Sequence, residues 1–215
     1  MKNTTECIKA EAEDTDGQAS LIQRLAHDLR QPLSNIECIG YYLDMVLGDG
    51  EPELQRQCET LRRMVQQAHW LLEDASLSVS LRGAECGLVS VPAVLNKLDA
   101  ELALHEQRSL ELHMSEDVMV TAPALETASV CGHVVSFLRN VAHAEDPIRV
   151  TALAGDDVRL EFSADVAGEA DELLPMVNPA NGGGLGAYAA AARGQMAVGM
   201  DGRRMTLTFW LPRGE

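Results

Sequence analysis

One histidine stands among charged residues in the segment Leu25-Ala26-His27-Asp28-Leu29-Arg30-Gln31-Pro32-Leu33. Its imidazole can take up a phosphoryl group, and the neighbouring Asp28 can orient the ring or accept its proton. On a helix, Arg24 and Arg30 lie one turn to either side of His27. Guanidinium groups offer paired donors to phosphate oxygens. The spacing favours phosphoryl chemistry at His27, and the alternative is an inert surface histidine.

Pro32 is expected to bend the helix that carries this histidine. A proline lacks the backbone donor, and its ring crowds the carbonyl four residues earlier, which belongs to Asp28. His27 falls between Leu25 and Leu29, off the apolar stripe of the helix. We therefore expect its ring to be reachable from solvent.

Two long helices are predicted to position this site. Apolar residues recur in steps of three and four from Leu21 to Leu47, and again from Leu54 to Val79. The short turn before Pro52 predicts an antiparallel helical hairpin over residues 20–80. Residues 1–19 are polar and acidic, and we expect a disordered lead-in there.

Two helices alone cannot cover both of their apolar stripes. Pairing two hairpins makes a four-helix bundle, so the sequence predicts a homodimer through the hairpin. The alternative is that the hairpin packs on the rest of its own chain.

Residues 87–213 show strand periodicity alternating with shorter helices, and they close on a hairpin around Asp201-Gly202. This order predicts an α/β sandwich with helices on one face of a sheet. The fold class expected for the whole chain is therefore α+β.

Composition excludes several classes of function. The 215 residues include 17 basic and 33 acidic side chains, a net charge of −16, which argues against nucleic-acid binding. Apolar runs are too short for a membrane span, and the first residues do not form a secretion signal. The five cysteines have no zinc-site or disulfide spacing, which favours free thiols in the cytoplasm. They are Cys7, Cys38, Cys58, Cys86 and Cys131.

The segment from His27 to Leu33 resembles the H-box of sensor histidine kinases. That pattern is His, an acidic residue, any residue, Arg or Lys, any residue, Pro, Leu. The resemblance implies a dimerisation and histidine-phosphotransfer hairpin with His27 as phosphoacceptor and Asp28 as assisting acid or base. Gln31 occupies the position that, in relatives, helps to place water for dephosphorylation of a partner.

The second half resembles the ATP-binding domain of the same family. Ser136 to His143 is similar to its N-box, in which Asn140 would hold Mg²⁺ and His143 would contact phosphate. The run from Gly182 to Gly186 is similar to its glycine box. The resemblance implies that Gly168, Gly184 and Gly186 would bind nucleotide, if nucleotide binding survives.

Several residues depart from the family pattern. Ser136 replaces an asparagine, Ala164 replaces the aspartate that reads adenine, and Val166 replaces a glycine. Asp165 comes one residue late, on the opposite face of a strand. The segment between Gly168 and Gly182 is short and acidic, where relatives have a longer lid.

These departures predict a degenerate ATP site, with no cofactor expected. The function that we expect is phosphoryl transfer between His27 and the aspartate of a response-regulator receiver domain, as in histidine phosphotransferases. One alternative is a soluble cytoplasmic histidine kinase, which would use ATP and Mg²⁺. Another is a pseudokinase that docks partners without transferring phosphate.

Overall fold

The computed structural model describes residues 3–47, 52–106, 110–115, 117–142, 146–167, 173–174, 177 and 183–214. Residues 3–21 are described as backbone. Internal contacts divide the chain into two compact units, Met1–Val79 and Ser80–Glu215. The first is helical and the second is α+β, so the fold class predicted from the sequence is confirmed.

The first unit is a hairpin of helix α1, Asn3–Leu47, and helix α2, Pro52–Ser80. The short connection makes the two helices antiparallel. Gly40 lets the side chain of Arg62 cross α1 closely, since a Cβ at Gly40 would lie 3.3 Å from Arg62 Cγ. The Arg62 guanidinium then stacks on the Tyr41 ring, 5.2 Å from its centroid. Together these contacts fix the register of the hairpin.

Helix α1 begins earlier than the sequence suggested. We expected a disordered lead-in over residues 1–19, but the helix starts at Asn3 and runs on without a break. The segment contains alanine, glutamate and lysine, and Gly17 is its one strong helix breaker. Extending an existing helix is much easier than nucleating one, which accounts for the difference. Among the described helices, none combines the length and the apolar character that crossing a bilayer requires.

The second unit follows the predicted order of strands and helices. Its elements are β1 (Cys86–Ser90), α3 (Val91–Glu106), β2 (Glu111–Met114), β3 (Met119–Pro123), α4 (Glu126–Val141), β4 (Arg149–Ala154), β5 (Asp157–Asp165), α5 (Gly184–Ala191), β6 (Gln195–Asp201) and β7 (Arg204–Pro212). Strands β1 and β3 form a two-stranded antiparallel sheet. The main sheet has the order β2-β4-β5-β7-β6, in which only β2 and β4 are parallel.

One face of the main sheet supplies most of the core. Alternate residues of β5 and β7 are buried there, and Phe162 and Tyr188 both meet the Phe209 ring edge-on. Helices α4 and α5 pack on this face with buried side chains such as Val134, Phe137 and Leu185. The arrangement is a two-layer sandwich, in which the end of β5 meets the end of α4 through a bridge between Val166 and Ala142.

Two glycines of the second unit allow a matched test of this packing. A Cβ at Gly194 would overlap the carbonyl oxygen of Trp210, whereas a Cβ at Gly199 would meet nothing. We expect Gly194→Ala to lower the free energy of unfolding by about 2 kcal/mol, because backbone must move. Gly199→Ala should change it by less than about 0.5 kcal/mol. Urea denaturation of both variants measures the difference, and equal losses would contradict the packing described.

Candidate functional site

The imidazole of His27 is exposed and paired with its neighbour. Its side chain is 84% exposed and that of Asp28 is 64% exposed. The Nδ1 atom of His27 lies 3.3 Å from Asp28 Oδ1. A carboxylate can only accept, so this contact favours the tautomer with a proton on Nδ1. The lone pair of Nε2 is then left facing solvent.

Helical periodicity places this ring on the outside of the hairpin. His27 lies two residues from both Leu25 and Leu29, and at about 100° per residue it points about 160° away from them. Tyr41 stands in the same relation to Ile39 and Leu43, two heptads further on. His27 and Tyr41 therefore share one side of the hairpin with Arg62, which stacks on Tyr41. We call this side the histidine flank, defined by His27, Tyr41 and Arg62.

The other predicted residues of the H-box are also accessible. Arg24, Arg30 and Gln31 are exposed, each within one turn of His27. Pro32 lies inside α1, which continues through it to Leu47. Because Pro32 has no N–H, the carbonyl of Asp28 lacks its usual helical donor. The backbone beside His27 is thus less constrained than elsewhere in the helix.

The opposite side of the hairpin exposes an apolar stripe. Its members are large aliphatic side chains with exposed fractions between 38% and 63%. Met64 and Leu71 of α2 belong to it, because Met64 follows Arg62 by two residues and so points away from the histidine flank. We call this stripe the apolar flank; it consists of Leu25, Leu29, Ile36, Ile39, Leu43, Val46, Met64 and Leu71.

The residues predicted to meet a nucleotide lie around the ends of α4, β5 and α5. Asn140 is exposed in the last turn of α4. Gly184 is buried at the start of α5, and Gly186 is half-buried two residues further on. His143 and Gly168 lie outside the described residues.

The end of β5 carries Ala164 and Asp165 on opposite faces of the sheet. Ala164 is buried at 3% exposure, and it pairs with Met205 on β7. Asp165 points to the other face of the sheet, where its Oδ2 lies 3.3 Å from Arg204 Nη2. The one-residue shift therefore engages Asp165 with a neighbouring strand. The sequence gives no local signal for this ion pair, because Arg204 is far away along the chain.

The segment after β5 forms backbone hydrogen bonds with the end of α4. The N–H of Ala167 donates to the carbonyl of Val141 at 2.9 Å, and Val166 forms a β-bridge with Ala142. Val166 is 1% exposed. Further along, Leu173 and Val177 are also buried. The chain just beyond β5 is thus tied to the end of α4, the helix that carries Asn140.

A buried hydrogen bond joins α4 to α5. The Thr127 and Tyr188 hydroxyl oxygens are 3.0 Å apart, and Thr127 also donates to the carbonyl of Pro123. Burial raises the pKa of the Tyr188 phenol well above its usual value. Burial likewise raises the pKa of the Cys131 thiol to about 12, so Cys131 is no nucleophile. These groups stabilise the packing of the helices.

The part of the chain that the structure describes contains no cluster of three or more His, Cys, Asp or Glu side chains placed to hold a metal ion. Asn140 is the candidate Mg²⁺ ligand by resemblance. A carboxylate partner for Mg²⁺ at this end of β5 is not supplied by Asp165, which faces Arg204 on the other side of the sheet.

Solved structures of histidine kinases are similar in fold to this chain. The histidine kinase AdeS of Acinetobacter baumannii is similar with a TM-score of 0.54 and 15% identity, over 88% of this chain and 98% of that one. Full-length ShkA in complex with AMPPNP is similar with a TM-score of 0.52 and 15% identity. That match covers 91% of this chain but 46% of ShkA, so the chain spans about half of ShkA's length.

The catalytic domain of the histidine kinase ThkA is similar to part of the chain. Its TM-score is 0.50 at 14% identity, covering 60% of this chain and 97% of that domain. No protein-family model and no curated protein matches the sequence. At such low identities the similarity establishes the fold, and the site must be argued from this chain's own residues.

A carboxylate introduced at position 164 tests whether the end of β5 is closed to solvent. We expect Ala164→Asp to lower the free energy of unfolding by about 3 kcal/mol at pH 7, because it buries an unpaired charge. Burial raises the folded-state pKa of such a group above the unfolded value of about 3.9. The loss should therefore grow as pH rises above about 4.

Ala164→Asn is the matched control, since it has similar size and no charge. Its destabilisation should be the same at pH 4.5 and pH 7, measured by urea denaturation as about equal midpoint shifts. An Ala164→Asp variant that is as stable as the parent at pH 7 would mean that this position is open to solvent or to a ligand.

Proposed function

We propose that this chain is a histidine phosphotransferase, which exchanges a phosphoryl group between His27 and the aspartate of a response-regulator receiver domain without using ATP. The observation that carries the proposal is the exposed imidazole, held by Asp28 at Nδ1 with Nε2 free. A nucleophile for phosphoryl transfer needs this combination of access and fixed tautomer.

In the proposed step, Nε2 of His27 attacks the phosphorus of the receiver's aspartyl phosphate in line. The new P–N bond forms as the acyl P–O bond breaks, and the aspartate leaves as a carboxylate. The proton on Nδ1 stays directed at Asp28, whose charge stabilises the imidazolium that develops. The reverse step returns the group to a receiver and restores neutral imidazole.

Arg24 and Arg30 are proposed to stabilise the equatorial oxygens of the transferring group. Both are exposed, each one turn from His27, and their donors match phosphate oxygens. They also provide local positive charge on a protein of net charge −16. Such a local charge assists encounter with an acidic partner. Gln31, one turn from His27, is proposed to orient water when a partner is dephosphorylated.

The end of β5 supports transfer without ATP. Ala164 offers no carboxylate to an adenine amino group, and Asp165 is engaged by Arg204. Val166 is buried where the family pattern has glycine. A base amino group left without its acceptor costs on the order of 1–3 kcal/mol, and buried side chains would also have to be displaced.

The apolar flank supports a homodimer. Six of its side chains recur on α1 in steps of three, four and seven residues, as in a helix-packing seam. A contiguous stripe of large exposed aliphatic residues is a helix interface without its partner. A second copy offers the same stripe, so a two-fold pairing would bury both in a four-helix bundle. The histidine flank then stays open for a receiver domain.

Two alternatives follow from specific residues. Asn140, Gly184 and Gly186 are retained, which favours a histidine kinase that phosphorylates His27 from ATP and Mg²⁺. A docking platform without phosphate transfer would need the histidine flank but not the His27 imidazole. The two are separated from the main proposal by one pair of measurements.

We expect His27→Gln to abolish transfer of radiolabelled phosphate from a receiver domain phosphorylated with acetyl phosphate. Phosphoramidate, a small donor that phosphorylates histidine, should label the parent chain with an acid-labile phosphate and leave the variant unlabelled. His113→Gln is the matched control, because His113 is exposed on β2. It should keep full labelling.

Thermal unfolding with and without Mg-ATP completes this test. A ligand present at a hundred times its Kd stabilises a protein by about 2.7 kcal/mol, and we expect no such shift here. A clear shift together with labelling of His27 from ATP would establish the kinase instead. Receiver binding that survives His27→Gln, with no label in the parent chain, would establish the docking platform.

The homodimer is tested by two adjacent substitutions. Ile39→Glu places a charge on the apolar flank, whereas Cys38→Glu places it on the other side of α1. Light scattering after size-exclusion chromatography should show a dimer for the parent and for Cys38→Glu. Ile39→Glu should be monomeric at micromolar concentration, because a buried unpaired charge costs several kcal/mol. A dimeric Ile39→Glu chain would contradict the assignment of this flank.

A further inference from the structure

Strand β6 leaves one edge of the main sheet unpaired in the described part of the chain. It runs over seven residues, Gln195–Asp201, and pairs with β7 alone. The other edge strand, β2, has only four residues and carries Glu111 and His113. The longer edge therefore presents the larger row of backbone N–H and C=O groups without strand partners.

This edge lacks the protection that exposed strands usually have. In natural proteins, lysine or proline residues, bulges or a short length keep edge strands from pairing with other chains. The sequence of β6 is Gln-Met-Ala-Val-Gly-Met-Asp, with no lysine, arginine or proline, and it pairs with β7 in unbroken register. Its side chains alternate between exposed and half-buried, so the strand is regular throughout. Such a strand is suited to pairing with another strand.

We propose that β6 pairs antiparallel with β6 of a second copy of this chain, about a two-fold axis at Val198. The strand is self-complementary in this register. Val198 meets Val198 of the second copy, and Met196 meets its Met200. On the other face, Ala197 meets the small Gly199. Apolar pairs of this kind stabilise a sheet, and small pairs leave the backbones free to approach.

The polar ends of the strand match in the same register. Gln195 lies opposite Asp201 of the second copy, and a carboxamide N–H can donate to a carboxylate there. Shifting the register by one residue would place each half-buried methionine opposite a residue from the exposed face of the second copy. The apolar pairs and the Gln195–Asp201 pairs would then be lost. The isologous pairing would join two five-stranded sheets into one of ten strands. It uses residues outside the apolar flank and the histidine flank, and it does not rest on the proposed function. A seven-residue edge buries less surface than two long helices, so this pairing is the weaker of the two and forms only well above the micromolar concentration at which Ile39→Glu is expected to be monomeric.

Disulfide trapping tests this pairing in the full chain. In a background with Cys7, Cys38 and Cys86 changed to serine, we compare Val198→Cys with Ala197→Cys under mild oxidation. Opposite residues of an antiparallel pair have Cα atoms about 4.5–5.5 Å apart, within disulfide range. Two copies of residue 197 are diagonal, about 7–8 Å apart, which is too far.

We expect Val198→Cys to give at least about tenfold more covalent dimer than Ala197→Cys, as the geometric limits require. Equal yields, or none from Val198→Cys, would overturn the proposal. Hydrogen exchange of the unsubstituted chain provides a second measurement that needs no variant. Amides of 196–200 should become more protected as protein concentration rises, and protection that does not change with concentration would also overturn it. Both readouts are independent of His27 phosphorylation.

Discussion

The first unit depends on how the sides of helix α1 are divided among three different roles. Helix α1 has to cover α2, present the apolar flank and still leave His27 in water, and each task takes a different side of the helix. Ala26, at 1% exposure, lies next to His27, at 84% for its side chain. A rotation of α1 by one residue, about 100°, would bury His27 in the place of Ala26. The contact of Gly40 with Arg62 is therefore as important to the site as Asp28, because it holds α1 in this rotation.

The packing of the second unit is stabilised by its own side chains. Ala164 and Val166 at the end of β5 are buried, and so are Leu173 and Val177 further along the chain. Burying apolar surface gives about 25 cal/mol per Å², so these residues stabilise the unit whether or not a nucleotide binds. The Thr127–Tyr188 hydrogen bond joins α4 to α5 independently of any ligand.

Periodicity predicted the elements well, because the buried faces of α1, α2, β5 and β7 repeat at the helical or strand period. The exposure of His27 followed from the same arithmetic. Contacts between distant residues could not be found in this way. The ion pair of Asp165 with Arg204 depends on strand register, and neither sequence segment encodes its partner. The early start of α1 was not predicted, because the polar composition of residues 1–19 suggested a solvated, disordered segment. Extension of a helix depends instead on the helix that has already formed in the residues that follow.

The clamp between the two helices also restricts how movement can travel along the hairpin. Sliding α1 past α2 would require Arg62 to leave both the space above Gly40 and the face of Tyr41. Bending at Pro32 leaves that clamp intact, because the proline lies between it and His27. A force applied at the amino-terminal end of α1 would thus move the imidazole by bending the part of α1 before Pro32. It would not move it by sliding the whole helix along its axis.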